Sequence, residues 1–244
     1  MGSDNDKETS EGKKEEFNSN DNNINLILAN LENSKIKTTS IKEISTSSVY
    51  YYIPENIGKI KYGIIFYPGT FIIPYFYKNL ITILASRGYI ICMSTNLMAN
   101  ILFSKSEKNT NEIINKYPDV QFFLAGHSQG GGAAVKIAKI MGNQFLGVIL
   151  LSPLSYKKDS FEDKNLPTIY FEAENDKVLS KSMKEESKTT VPENTEFVFL
   201  KGCNHMGYSN MSFFDGKCTI GVENQQKLVA GYILRFIESV ILNK

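Results

Sequence analysis

The pentapeptide from Gly126 to Gly130, Gly-His-Ser-Gln-Gly, is the part of the sequence best suited to chemistry. It follows the apolar run VQFFLA and precedes the helix-like stretch AAVKIAKIM. Glycines on both sides of a serine allow a tight, strained turn between a strand and a helix, and this turn exposes the serine oxygen above the sheet. The placement predicts that Ser128 is a nucleophile.

A serine nucleophile needs a general base, which is usually a histidine. The sequence contains two histidines. His127 lies inside the glycine-rich turn beside the nucleophile, and we expect it to point away and to pack or hydrogen-bond structurally. His205 follows the last predicted strand, where the base belongs in the chain order Ser, acid, His. His205 is therefore the predicted base.

The acid that orients the base should lie between Ser128 and His205, at the end of the preceding strand. Three carboxylates compete in the segment TIYFEAENDKVLS, namely Glu172, Glu174 and Asp176. Glu172 belongs to the strand or to its end, whereas Asp176 lies in a turn that can reach back over the sheet edge. We favour Asp176 and keep Glu174 as the alternative.

Two backbone N–H groups are expected to stabilise the oxyanion of the reaction. One belongs to Gln129, which follows the nucleophile at a helix N-terminus, where the helix dipole also favours negative charge. The other belongs to the loop PGTF after an apolar strand. Pro68 has no N–H, so Thr70 is the best donor and Phe71 is the alternative.

Apolar residues flanking these motifs are expected to line the mouth of the site. They favour a small-molecule ester with small or medium apolar acyl or alkyl groups. The predicted lining residues are Phe71, Ile72, Leu97, Leu154 and Met206.

Strand-like and helix-like segments alternate along the chain. This order predicts βαβ units, and hence an α/β fold with a mostly parallel central sheet and helices on both faces. Residues 153–166 are too few for an inserted cap domain between two strands. Strands are predicted at 41–53 (one or two strands), 62–67, 89–93, 120–125, 145–151, 168–172 and 196–200, and helices at 74–86, 106–116, 128–141 and 222–242.

The length of 244 residues, with 42% hydrophobic and 22% charged residues, is sufficient for one sizeable core. Residues 1–24 contain three Lys and seven Asp or Glu and almost no apolar groups. Such a segment cannot bury enough surface to fold, so we predict a disordered, acidic and polar tail over 1–24. Residues 25–244 are predicted to form the single folded domain.

Composition also argues against several classes of function. The formal net charge is +1 and the sequence has no basic stripe, so no nucleic-acid partner is expected. No apolar run is long enough to span a bilayer, and no secretory signal is visible, so a cytoplasmic location is expected. Three cysteines without CxxC spacing suggest reduced thiols, although Cys203 and Cys218 could pair in an oxidising compartment. No metal or other cofactor is implied, and partner proteins are not identifiable.

From Tyr62 onward the chain resembles the α/β-hydrolase superfamily. The resemblance is carried by the segments IIFYPGT, NLITILASRGYIICMSTN, AGHSQGGGAA, EAEND and GCNHMGY. It is similar above all to the cap-less, dienelactone-hydrolase-like members, α/β hydrolase family 5, which also have an Asp-Gly loop (Asp215) and paired glutamines (Gln225, Gln226). It is more distantly similar to the cutinase-like polyester hydrolases, but this sequence has no Trp and no aromatic residue directly after Pro153.

The resemblance implies the α/β-hydrolase fold and a Ser-Asp-His mechanism, with Ser128, Asp176 and His205 as the triad and Gln129 and Thr70 as oxyanion donors. It thus implies a serine esterase acting on ester or thioester bonds through an acyl-enzyme. Thioesterase, acyltransferase and peptidase activities use the same triad and stay open. A non-catalytic protein of this fold that binds a ligand or a partner is the alternative from another class.

Overall fold

A computed structural model describes residues 38–55, 58–211 and 214–243. The predicted tail, residues 1–24, and the first residues of the predicted domain, 25–37, lie outside the described residues. Among the described residues, no helix combines the length and the apolar character needed to cross a bilayer.

Eight strands form one sheet. They are β1 (Ile41–Ser45), β2 (Val49–Pro54), β3 (Tyr62–Tyr67), β4 (Ile90–Ser94), β5 (Gln121–His127), β6 (Phe145–Leu151), β7 (Thr168–Ala173) and β8 (Glu196–Leu200). Their order across the sheet is β1-β2-β4-β3-β5-β6-β7-β8. The first two strands pair antiparallel to their neighbours, and all pairs from β4 to β8 are parallel. The predicted mostly parallel sheet is confirmed, and the predicted segment 41–53 forms two strands.

The central strands are continuous apolar runs because both faces of the sheet are covered. All seven residues of β6 are buried. The helices that cover the sheet are α1 (Lys78–Ala85), α2 (Phe103–Lys116), α3 (Gln129–Met141), α4 (Lys181–Lys188) and α5 (Val222–Leu242). Residues of α1 and α5 share one buried apolar cluster, and residues of α2 and α3 share the other, so the two pairs pack on opposite faces.

Helix α4 was not expected from the sequence. Its residues, KSMKEESK, have no apolar periodicity. The side chain of Ser180 caps the helix by accepting a hydrogen bond from the Met183 N–H, and the buried hydroxyl of Ser187 bonds to the carbonyl of Ser155 at 3.2 Å. The cap and the buried hydrogen bonds between Ser187 and Ser155 thus stabilise this helix.

The parallel strands place all their following loops at one edge of the sheet, which is where sites lie in open α/β folds. We call this the C-terminal edge. The segment between β6 and β7, residues 152–167, contains only a short 3-10 turn at Lys157–Asp159 and no cap domain, as predicted.

Candidate active site

Ser128 lies between the last residue of β5 and the first residue of α3, on a strained turn. Its φ of 54° and ψ of −123° are unfavourable for a residue with a side chain. Backbone hydrogen bonds to the end of β6 and the loop after it hold the turn in place. The Ser128 N–H donates to the Leu151 carbonyl at 3.0 Å, and the Ser128 carbonyl accepts from the Leu154 N–H at 2.9 Å. Such a conformation persists only where its surroundings impose it.

The glycines around Ser128 are required by close backbone packing. A Cβ atom on Gly126 would collide with the carbonyl of Gly130, and one on Gly130 would collide with the carbonyl oxygens of Tyr67 and Pro68. The turn can therefore form only if these positions lack side chains.

We expect Gly130→Ala to lower the free energy of unfolding by about 3 kcal/mol, because the colliding atoms are backbone atoms that cannot move aside. Urea unfolding measures the change. Gly142→Ala is the matched control, since its added Cβ would meet the nearest atom at 3.5 Å, an ordinary contact. Equal stability of the two variants would contradict the expected collision.

His205 and Asp176 form a buried pair at the same edge of the sheet. His205 Nδ1 lies 2.9 Å from Asp176 Oδ2, and both side chains are 1% exposed. The other carboxylate oxygen, Oδ1, accepts hydrogen bonds from the N–H groups of Val178 at 2.9 Å and Leu179 at 3.0 Å. Asp176 is thereby oriented toward the histidine on one side and anchored to its own loop on the other.

The charge of Asp176 is maintained by its hydrogen bonds. Burial by itself raises the pKa of Asp176, but the hydrogen bond and charge of His205, the Leu179 N–H and the nearby Lys184 together hold it below its ordinary value. A carboxylate at this position keeps a proton on Nδ1 of His205 and leaves Nε2 free to accept one.

The two competing carboxylates have other partners. Glu174 accepts a hydrogen bond from the Gly202 N–H at 2.8 Å. Glu172 lies in β7 and pairs with Lys188 at 2.7 Å. Of the three candidates for the acid, the structure thus brings only Asp176 to His205.

The backbone N–H of Thr70, in the loop after β3, is without a partner in the described parts of the chain. The Gly69 N–H donates to the Tyr77 hydroxyl at 2.9 Å, and the Phe71 N–H donates to the Leu97 carbonyl at 3.0 Å. Thr70 lies between them; no described group accepts its N–H, and its buried hydroxyl also has no described partner. This favours Thr70 over Phe71 as the available donor.

Gln129 is the first residue of α3, so its N–H has no acceptor within the helix. Its side chain is held by Asn100, whose Nδ2 donates to Gln129 Oε1 at 2.8 Å. The N–H of Gln129, the other predicted oxyanion donor, therefore lies at the C-terminal edge, in the residue next to Ser128.

His127 packs inside the protein, as expected. Burial and the neighbouring His205 lower the pKa of His127 well below its ordinary value, so its ring is neutral. Its Nδ1 lies 2.7 Å from the hydroxyl of Tyr77, which in turn accepts the Gly69 N–H. The ring centres of His127 and His205 are 4.6 Å apart, which places the residue before Ser128 directly against the predicted base.

Tyr77 also contributes to the site, although its sequence context did not predict this. It joins the loop of Thr70 to the turn of Ser128, and in the sequence it is one aromatic residue among many in the stretch GTFIIPYFY. Nothing in the local pattern distinguishes it from a core tyrosine.

Asp215 and Gln225, which the family resemblance pointed to, stabilise the loop of His205. Asp215 accepts hydrogen bonds from the backbone N–H groups of Lys177 at 3.0 Å and Met206 at 2.8 Å, and so ties the acid loop to the base loop. Gln225 bonds to both the N–H and the carbonyl of Asn204, the residue before His205. The Asp-Gly and Gln-Gln motifs thus indicated residues that hold the loops of Asp176 and His205 in place.

The residues predicted to line the mouth are not all at the surface. Phe71 is 69% exposed, and Leu97 and Met206 are half-buried. Leu154 is buried beside Ser128, to which its N–H is bonded. The prediction that Ile72 lines the mouth is wrong. Its N–H bonds back to the Gly69 carbonyl at 3.1 Å, and this turn places its side chain in the core.

The described residues contain no cluster of three or more His, Cys, Asp or Glu side chains that could hold a metal ion. The three cysteines, Cys92, Cys203 and Cys218, are free thiols. The chemical groups that the structure places at this edge are a serine, a histidine paired with a carboxylate, and backbone N–H groups.

Comparison with known proteins yields one family and several relatives. The alpha/beta hydrolase family profile matches residues 63–227, more than half of the chain. A stretch of 47 residues is 40% identical to monoglyceride lipase of Mus musculus. That stretch is 19% of this chain and only 16% of the mouse protein.

Two solved structures share the fold at low identity. A protein from Thermoplasma acidophilum described as a CIB-like hydrolase superposes with a TM-score of 0.60 at 12% identity, over 81% of this chain and 98% of that chain. A protein from Acinetobacter baumannii assigned as a lipase superposes with a TM-score of 0.61 at 13% identity, over 91% of this chain and 97% of that chain.

Proposed function

The chain belongs to the alpha/beta hydrolase family, as its motifs predicted, and on that basis we propose that it is a serine hydrolase that cleaves carboxylic ester or thioester bonds. The observation that supports this most directly is the buried Asp176–His205 pair, held at the same edge of the sheet as the strained Ser128. The lipases among the proteins similar to this chain agree with an ester substrate.

In the proposed reaction, Ser128 Oγ attacks the ester carbonyl carbon while His205 Nε2 takes the hydroxyl proton. Asp176 fixes the histidine tautomer and stabilises the imidazolium that forms. The negative charge on the former carbonyl oxygen is stabilised by the N–H groups of Gln129 and Thr70.

The tetrahedral intermediate then breaks the bond between the acyl carbon and the leaving group, which departs with the proton from His205. The acyl group stays on Ser128 Oγ. His205 next takes a proton from water, whose oxygen attacks the acyl carbon, and the acid product leaves as the proton returns to the serine. No redox step or cofactor is needed for this cycle.

We place the acyl or alkyl part of the substrate against Phe71, Leu154 and Met206. Without a cap domain the site opens directly at the C-terminal edge, which suits small to medium substrates. We also propose that the protein acts in the cytoplasm, which fits its free thiols at Cys203 and Cys218.

Fluorophosphonate labelling of the purified full chain tests the function. The reagent phosphonylates a serine only when a neighbouring base activates it. We expect the wild type to bind one label per chain and both Ser128→Ala and His205→Ala to bind none. Circular dichroism establishes that the three proteins are folded. A folded wild type that takes no label would overturn the proposal and favour a non-catalytic binding protein.

A further inference from the structure

Exposed large apolar side chains are concentrated at the edge of the sheet that holds the candidate active site. Among the described residues, fourteen such side chains are exposed. Seven of the fourteen lie between β3, β4, β7 or β8 and the α-helix that follows, at the C-terminal edge. We call six of these the apolar rim: Phe71, Tyr75, Ile101, Leu102, Val178 and Phe214.

The segments that present the rim are joined to one another. Backbone and side-chain hydrogen bonds connect the loop after β3 to those after β4 and β8, and the loop after β7 to the one after β8. These bonds are Phe71 N–H to the Leu97 carbonyl at 3.0 Å, Asn210 N–H to the Phe76 carbonyl at 2.8 Å, and Lys177 N–H to Asp215 Oδ1 at 3.0 Å. The rim is therefore part of one surface rather than a set of scattered residues.

Two rim aromatics are held in a conformation that suits other residues better. Phe71 has a φ of 58° and Phe214 a φ of 51°, in the left-handed region where Gly and Asn are favoured and bulky residues are strained. Phe71 is 69% exposed and Phe214 97% exposed, so core packing does not offset this strain. Core packing therefore does not account for aromatic rings at these two positions, and both rings are available for contact with an external apolar phase.

Exposed lysines accompany the rim on the same edge. The exposed lysines without an ion-pair partner in the described parts of the chain include four at this edge, each in a loop after a strand end or in the first turn of the next helix. They are Lys105, Lys177, Lys181 and Lys217. Two carboxylates of the same loops, Asp215 and the exposed Glu174, accept hydrogen bonds from backbone N–H groups. The edge thus combines exposed apolar groups with positive charge.

We propose that this edge docks on an anionic lipid surface, with the apolar rim inserted among the acyl chains and the four lysines at the headgroups. Exposed aromatic and aliphatic side chains beside lysines are the combination by which proteins bind at such an interface. A second copy of the chain fits less well, because a symmetric contact through this edge would bring the same lysines together. Docking brings the candidate active site to esters carried by lipids, and this role of the docking rests on the proposed function.

Vesicle co-sedimentation of the full chain tests the docking. The Ser128→Ala protein is used, so that no lipid is hydrolysed, with vesicles of phosphatidylcholine alone or with about one third phosphatidylserine. We expect binding to the anionic vesicles and at least about fivefold weaker binding to the neutral ones, since each lysine near a charged surface adds to the affinity. Raising the salt concentration should weaken the anionic binding.

Two matched variants separate the rim from general surface hydrophobicity. Ile101→Ser with Phe214→Asn removes two rim side chains, and Asn suits the left-handed φ at position 214. Phe197→Thr with Phe199→Thr removes two exposed aromatics from β8, outside the rim. We expect the first pair to lower vesicle partitioning about tenfold and the second to leave it within about twofold. Phe214→Asn alone serves if the first double variant proves unstable in thermal unfolding.

Several results would overturn the docking proposal. The first is that the protein does not sediment with anionic vesicles. The second is an equal loss of vesicle binding in both variant pairs. The third is that Lys177→Gln with Lys217→Gln lowers vesicle binding while the rim pair does not. A rim-dependent dimer in sedimentation velocity without vesicle binding would assign the surface to self-association instead. Since vesicle binding is measured on a protein without its nucleophile, it and fluorophosphonate labelling of the wild type fail independently.

Discussion

Ser128→Ala is expected to lower kcat for ester hydrolysis by about a millionfold, the loss that follows when the nucleophile of such a triad is removed. Alanine has the same Cβ as serine, so the substitution adds no backbone strain beyond that already present at φ of 54°. We therefore expect the fold and the neighbouring Asp176–His205 pair to be unchanged. The measurement is single-substrate kinetics on a soluble short-chain ester, with the wild type and the variant purified in the same way.

Ser128→Gly is the matched control for this result. It also removes the hydroxyl, so it should be equally inactive, but glycine adopts a positive φ without strain. We expect it to be more stable to urea than Ser128→Ala by about 1 kcal/mol. A variant lacking the hydroxyl that keeps more than about a tenth of the wild-type kcat would exclude Ser128 as the nucleophile.

Asp176→Asn is expected to lower kcat about ten-thousand-fold with little change in KM. The Asn amide can donate a hydrogen bond to Nδ1, so His205 adopts the tautomer with its proton on Nε2, which cannot take the serine proton, while the apolar contacts to substrate persist. Steady-state kinetics on the same ester measure the effect. Glu174→Gln is the control, because Gln keeps an oxygen that can accept the Gly202 N–H, and we expect less than about threefold change. Comparable losses in the two variants would leave Asp176 without its assigned role.

The lowered pKa of Asp176 also predicts a pH dependence of stability. A carboxyl group whose folded pKa lies below its ordinary value of 3.8 binds a proton more readily in the unfolded chain. Its stabilising contribution is therefore present in full above that value and is lost as the pH falls through the lower folded pKa. Urea unfolding of the wild type and Asp176→Asn should show a difference that narrows as the pH falls below about 4. A constant difference would contradict the lowered pKa.

The residues that could be found from the sequence are those with a strong local pattern. The run FLGVILL is apolar throughout because β6 is buried on both faces, and the turn around Ser128 needs glycines because backbones meet there. His205 followed from elimination, since a chain with two histidines offers few bases. The fold and the order of the candidate site residues along the chain could therefore be predicted.

Other parts of the site could not be predicted because they depend on side-chain direction and on contacts between distant segments. Glu174 and Asp176 are two residues apart in one turn, and only the folded loop shows that Asp176 contacts His205 while Glu174 bonds to Gly202. Helix α4 was missed because it is stabilised by a cap and a buried serine rather than by an apolar stripe.

By itself, the sequence determined which residue types are present, the alternation of strands and helices, and the placement of Ser128 between β5 and α3, since these follow from local burial patterns and backbone sterics. Only the tertiary structure decided which carboxylate meets the histidine and that the apolar rim is exposed. It also decided that the Phe71 N–H is bonded to Leu97, whereas no described residue accepts the Thr70 N–H. The physical reason is that hydrogen-bond partners and solvent exposure are set by segments far apart in the chain.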